Sequence, residues 1–146
     1  MNLRLTRATL WVSRSIFIVL VALLPAMPFL MNWYSEFRDL NLSAHISIMV
    51  AFYVCAIITA VALLQMDRLL RNILDGEVFV RKNIRLIQYV RGCCGLVALV
   101  CLPAAVFYMP LIFMVITMAF LWLVVGVVAQ TLDAAVAIRE ENDLTI

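Results

Sequence analysis

Apolar residues run through the chain in three long blocks, and the polar interruptions between them set the architecture. The first block covers about residues 10–31, the second is bounded by His45 and Gln65, and the third continues without a charge from Gly92 to Leu132. A helix needs about 20 largely apolar residues to cross roughly 30 Å of hydrocarbon, so the first two blocks each predict one membrane span. At about 1.5 Å per residue the third is roughly twice too long for a single crossing. It must fold back, and "FYMPL" is the place, because Pro110 lacks a backbone donor and biases Met109 away from helical angles. The pattern predicts spans at about 10–31, 45–65, 92–108 and 111–132 within a single membrane domain covering residues 1–146, with a loop at 66–91 and a tail at 133–146.

The loop has its own periodicity. In "MDRLLRNIL", Met66, Leu69, Leu70, Ile73 and Leu74 fall on one helical face, and Asp67, Arg68, Arg71 and Asn72 on the other. The second span should therefore continue beyond the membrane, with Asp67 and Arg71 at the i,i+4 spacing of a favourable ion pair. Asp75-Gly76 stops that helix, since glycine readily takes the left-handed C-terminal conformation. Beyond "EVFV", Leu86, Ile87 and Val90 face one way and Arg81, Lys82, Arg85 and Gln88 the other. The prediction is an amphipathic helical elbow with Phe79 as a plug between its halves and an apolar face free to lie on the membrane or on a partner. Small residues at four-residue spacing (Ala51, Cys55, Thr59) and at Gly92, Gly95 and Ala98 predict close helix approach. Pro25 and Pro28 are expected to kink or end the first helix.

Composition agrees with lipid as the solvent: 66% of residues are hydrophobic and 14% charged, against about 45–50% and about 25% in soluble domains. Charge then gives an orientation. Ten of the eleven basic residues fall in the N-terminal segment, the 66–91 loop and the tail, leaving Arg38 alone for the opposite side. Retention of positive charge in short cytoplasmic loops predicts both termini inside. "LVALLPAMPFLMNW" offers no small-x-small cleavage site, which favours an uncleaved first span over a signal peptide. Trp11, Trp33 and Tyr34 suit the interfaces. The acidic tail residues Glu140, Glu141 and Asp143 would share a compartment with the basic elbow and attract it.

Residue chemistry points away from catalysis. His45 is the only histidine and has no partner set around it in sequence. Cys55, Cys101 and the adjacent Cys93 and Cys94 form no CxxC or Cys/His spacing that would hold zinc. No catalytic, metal or cofactor site is expected, and no direct nucleic-acid binding, for want of an exposed aromatic platform or DNA-reading motif. The central parts of the spans carry no ionisable residue, which argues against a proton-coupled pump.

"GEVFVRKNIRLI", from Gly76 to Ile87, resembles the Gly-x-x-Phe-x-x-x-Asn-x-x-x-Leu elbow of a bacterial four-helix membrane family, domain-of-unknown-function family 2975. "EENDLTI" resembles that family's acidic Leu-Thr-Ile terminus. Gly76, Phe79 and Asn83 match the first motif, and Asp143, Leu144, Thr145 and Ile146 the second. Val80 departs from the Thr or Ser usual after the Phe, a hydroxyl that would cap the following helix. The resemblance implies an integral membrane protein without an established activity, whose relatives are often encoded beside a small Cro-like helix-turn-helix regulator.

The expectation is an all-α integral membrane four-helix bundle, non-enzymatic, whose elbow (Gly76, Phe79, Arg81, Lys82, Asn83, Arg85) and tail (Asp143, Leu144, Thr145, Ile146) form an interaction surface. Its partners would be the lipid bilayer, a cytoplasmic regulator protein of the helix-turn-helix type, and further copies of itself. The alternative is a small pore or transporter subunit that works as an oligomer.

Overall fold

The computed structural model describes residues 3–38, 41–76 and 80–144, with side chains from 6 to 142 within those ranges. Four helices follow in order: α1 (Leu3–Arg38), α2 (Leu42–Leu74), α3 (Arg81–Phe107) and α4 (Leu111–Leu144). Each is long and apolar enough to cross a membrane, so the chain has the character of a multi-pass membrane protein. All four run past the apolar blocks that define the spans.

Helix ends follow the expected local chemistry. Gly76 adopts φ 85°, and its N–H bonds the Ile73 carbonyl at 3.2 Å while that of Asp75 bonds Arg71 at 3.0 Å. These bonds close α2 through a left-handed residue, as a C-terminal glycine does. Val80 precedes α3 in an extended conformation with no side-chain cap. Its carbonyl nevertheless accepts from the Asn83 N–H at 2.9 Å, so the helix starts at Arg81 without the missing hydroxyl. Between α3 and α4 the turn sits at Tyr108-Met109-Pro110, with the Leu111 and Ile112 N–H groups bonded to Tyr108 and Met109.

The prolines of α1 do not end it. Pro25 and Pro28 lie inside a helix that continues to Arg38. A proline at position i leaves the carbonyl at i−4 without its backbone donor, and for Pro28 that carbonyl belongs to Leu24. The Tyr53 hydroxyl on α2 donates to it at 3.1 Å. In a membrane, tolerance of internal proline depends on a neighbouring helix meeting the freed backbone group in this way.

The helices are laid side by side in chain order. Among the described residues, backbones approach closely between α1 and α2, α2 and α3, and α3 and α4, and between no other pair. The arrangement is thus an open row rather than a ring closed by α1 against α4. Two buried clusters hold α2, α3 and α4 together. One comprises Leu69, Leu86, Ile87 and Ala129, with Met66, Ile73, Val125 and Leu132 against it. The other comprises Cys55, Val97 and Cys101, with Ile58, Val115 and Met118 among its flanking residues. The apolar face of the 66–91 segment is therefore largely spent inside the molecule, against the neighbouring helices, and not left free for the membrane or a partner. Elsewhere large apolar side chains point outward, among them Val19, Phe29, Phe113 and Leu123. Helices apolar on all sides have no solvated face to protect when lipid surrounds them.

Candidate functional site

Among the described residues, the ion pairs between helices and the Asn72–Asn83 hydrogen bond collect at the end of the molecule where α1 and α3 begin and α2 and α4 finish. Asp67 on α2 is the hub of the first group. Its carboxylate receives Arg14 of α1 at 3.1 Å and Arg71, one turn further along α2, at 2.7 Å. The Asp67–Arg71 pair is the i,i+4 pair expected from the sequence; the link to Arg14 adds α1 to it.

Asn83 forms the second group. It is 3% exposed, and its Oδ1 accepts from Asn72 Nδ2 at 2.9 Å across the α2–α3 interface. Asn83 is thus a clamp within the α2–α3 pair, turned away from any outside molecule. Gly76 is exposed, with open space where a Cβ would stand, so only its backbone conformation calls for glycine.

Arg81 forms the third. Its Nε and Nη2 meet the two carboxylate oxygens of Glu140 at 3.0 and 2.7 Å, a two-pronged pair that fits the planar guanidinium. It ties the start of α3 to the end of α4. The hydrogen bond from Arg81, with its charge, holds the Glu140 carboxyl below its usual pKa, and Glu140 in turn raises that of Arg81. Lys82 and Arg85 stand exposed beside this pair. Asp143 and Leu144 belong to α4, though their side chains are outside the described set; Phe79, Thr145 and Ile146 lie outside the described residues. Of the expected elbow and tail positions, the structure brings Arg81 to Glu140 and buries Asn83.

One basic residue behaves differently. Arg91 is only partly exposed. Its guanidinium stacks on the Trp122 ring, 4.4 Å from the ring centre, and presses so close to Gly126 that a Cβ there would meet its carbon at 3.0 Å. Arg91 Nε is enclosed without a hydrogen-bond partner, as is Gln65 Oε1. Asn72–Asn83 and Cys55–Cys101, whose sulfurs are 3.6 Å apart, fix the antiparallel register of α2 and α3. Ten residues along from each cysteine, that register sets Gln65 at the level of Arg91. In the sequence Arg91 closes the wet 66–91 loop; the proximity of Gly126 and Trp122, on a helix about 30 residues later, is what reveals the pocket.

No group of three or more His, Cys, Asp or Glu side chains that could hold a metal occurs among the described residues. The hydroxyls of Ser15, Ser47, Thr117 and Thr131 bond carbonyls of their own helices. At the opposite end Tyr34 and Tyr108 share a hydroxyl–hydroxyl bond of 2.5 Å beside an apolar cavity of about 350 Å³ lined by Met27, Met31, Trp33 and Ile48.

The family described as protein of unknown function DUF2975 matches residues 10–146. No curated protein and no solved structure matches the chain. With the match covering nearly its whole length, the chain belongs to the DUF2975 family.

Proposed function

We propose that this DUF2975 member is a non-enzymatic regulatory module of the bacterial inner membrane, with both termini cytoplasmic, that offers its α2–α3 elbow and α4 tail as one surface to a soluble partner. A helix-turn-helix transcription regulator is the partner class we favour. The Arg81–Glu140 pair carries this reading, because it couples elbow and tail through an exposed contact that is simple to break. Exposed ion pairs contribute little to stability, so such a link suits an adjustable joint better than a structural brace. The mechanism is a change in packing between α3 and α4 that opens the pair and changes access to Phe79 and to the Leu144-Thr145-Ile146 end. Lys82 and Arg85 add positive charge for an acidic partner.

The test is capture of cytoplasmic proteins by the intact, membrane-embedded chain, compared with Gly76 and Phe79 variants, a tail deletion and Glu140→Arg. Capture of a regulator by the intact chain, altered in the variants, supports the proposal. Capture of nothing, or equal capture by every form, overturns it.

The pore alternative draws on the open row, whose outer helices α1 and α4 leave apolar faces available to further copies. Ion or solute flux through liposomes holding the purified protein would favour it; absence of flux at protein densities that permit oligomers rejects it.

A further inference from the structure

Arg91 carries its charge inside the α3–α4 interface. Among the described residues no carboxylate pairs with it, and the contact it makes with another side chain is the stack on Trp122. From the Phe107 end of α3, Arg91 lies 16 residues away, about 24 Å along the helix axis. With Phe107 placed at one boundary of a hydrocarbon layer of roughly 30 Å, Arg91 falls just inside the opposite one, at the depth where lipid headgroups begin. An arginine at that depth ordinarily extends its long stem toward water. Here Gly126 leaves room for the guanidinium to turn inward, and Trp122 supplies the ring it lies on.

The same Trp122 walls a second feature. A groove of about 290 Å³ runs between α3 and α4 from Trp122 toward the opposite side, lined by Gly95, Ala98, Leu102, Val115 and Ala119. Its surface is apolar and narrow-walled, because three of these residues are small. Gly95 lets Trp122 lie against α3, since a Cβ there would stand 3.0 Å from the indole. A charged end and an apolar lane meeting at one tryptophan have the layout of an amphiphile.

We infer that the α3–α4 groove binds an anionic phospholipid from the leaflet nearest the α2–α3 turn, its phosphate on Arg91 and one acyl chain along Gly95, Ala98 and Ala119. The phosphate supplies the counter-charge that no described carboxylate gives, and a charge-assisted bond to an oxyanion is the kind that guanidinium makes best. The acyl chain fills a groove whose walls offer it only dispersion contacts. Partner binding at elbow and tail is a separate matter, and neither reading depends on the other.

The experiment uses the full chain with Trp11→Phe and Trp33→Phe, so that Trp122 alone emits, in nanodiscs of neutral phosphatidylcholine. Phosphatidylglycerol with brominated acyl chains, which quench indole on contact, is titrated against brominated phosphatidylcholine. Phosphatidylglycerol should quench at a mole fraction about fivefold lower, the factor expected of one basic group close to an anionic surface. Arg91→Gln should abolish the preference and Arg91→Lys should keep part of it. Arg85→Gln, on the exposed face, should leave it unchanged. Ala98→Phe, which fills the lane without touching the charge, should lower quenching by both lipids. Equal quenching by the two lipids in the parent chain overturns the inference, as does a preference that survives Arg91→Gln or falls equally with Arg85→Gln. Millimolar inorganic phosphate separates the two sources of the anion: if it erases the preference at constant ionic strength, the site serves a free anion and the lipid assignment fails.

Discussion

Tyr53 of α2 donates its hydroxyl to the Leu24 carbonyl of α1, the backbone acceptor that Pro28 leaves unfilled. The bond explains why a helix with two internal prolines continues, and it ties α1 to its neighbour. Tyr53→Phe should destabilise the protein by about 0.6–1.7 kcal/mol, from the average to the largest value measured for interhelical hydrogen bonds in membranes. Pro28→Ala returns a backbone donor to Leu24, so in that background the cost of Tyr53→Phe should shrink markedly. Unfolding in mixed detergent micelles, run as a double-mutant cycle, gives the coupling; independent, additive effects would refute the assignment.

Asn72 and Asn83 give a prediction about asymmetry. Asn83→Ala leaves the Asn72 amide without its acceptor in a tightly packed interface, which should cost about 1–3 kcal/mol. Replacing both by leucine removes donor and acceptor together and should recover part of that loss. Equilibrium unfolding of the three variants checks the order. A double variant no better than the worse single one would contradict it.

For Arg81 and Glu140 the expected readout is acid. Glu140 has a folded-state pKa below its ordinary value of 4.5 because Arg81 donates to it. A depressed carboxyl contributes its stabilisation above the unfolded pKa and loses it as pH falls through the folded one. The distance between spin labels at the start of α3 and the end of α4 should hold steady from neutral pH to about 4.5 and then lengthen. Glu140→Gln should remove the transition, and Arg81→Glu with Glu140→Arg should restore docking at neutral pH.

Gly76 is required for its backbone alone. With φ at 85° and nothing within 4 Å of an added Cβ, Gly76→Ala should cost about 1–2 kcal/mol of left-handed strain. Gly76→Asn should be milder, since asparagine tolerates that region. Thermal unfolding of the two variants beside the parent tests this, and an equal cost for both would point to a contact instead.

What the sequence discloses and what it conceals divide along physical lines. Pro110 and Gly76 mark the breaks because their backbones are special. Asp67 and Arg71 meet because one helix fixes their spacing. The mutual attraction of basic loop and acidic tail is visible as charge and found as Arg81–Glu140. By contrast, Tyr53–Leu24, Asn72–Asn83 and Arg91–Trp122 depend on the height and rotation of one helix against another. Helices apolar on every side carry little record of that rotation, and nothing in the spacing of Arg91 to its own neighbours announces Gly126. The apolar stripe of the elbow was readable as a stripe; that α2, α3 and α4 would cover it for one another was not.

The order of helices in the row also bears on how the chain is made. Among the described residues each helix packs its backbone only against the one before or after it in the chain, so assembly reduces to three successive hairpins, with the Tyr34–Tyr108 hydroxyl bond tying α1 to the α3–α4 turn. Contacts of that local kind favour rapid, stepwise formation. Because both interior clusters draw on α2, α3 and α4, α1 is held by other means, the Arg14–Asp67 pair and the Tyr53–Leu24 bond to α2 among them.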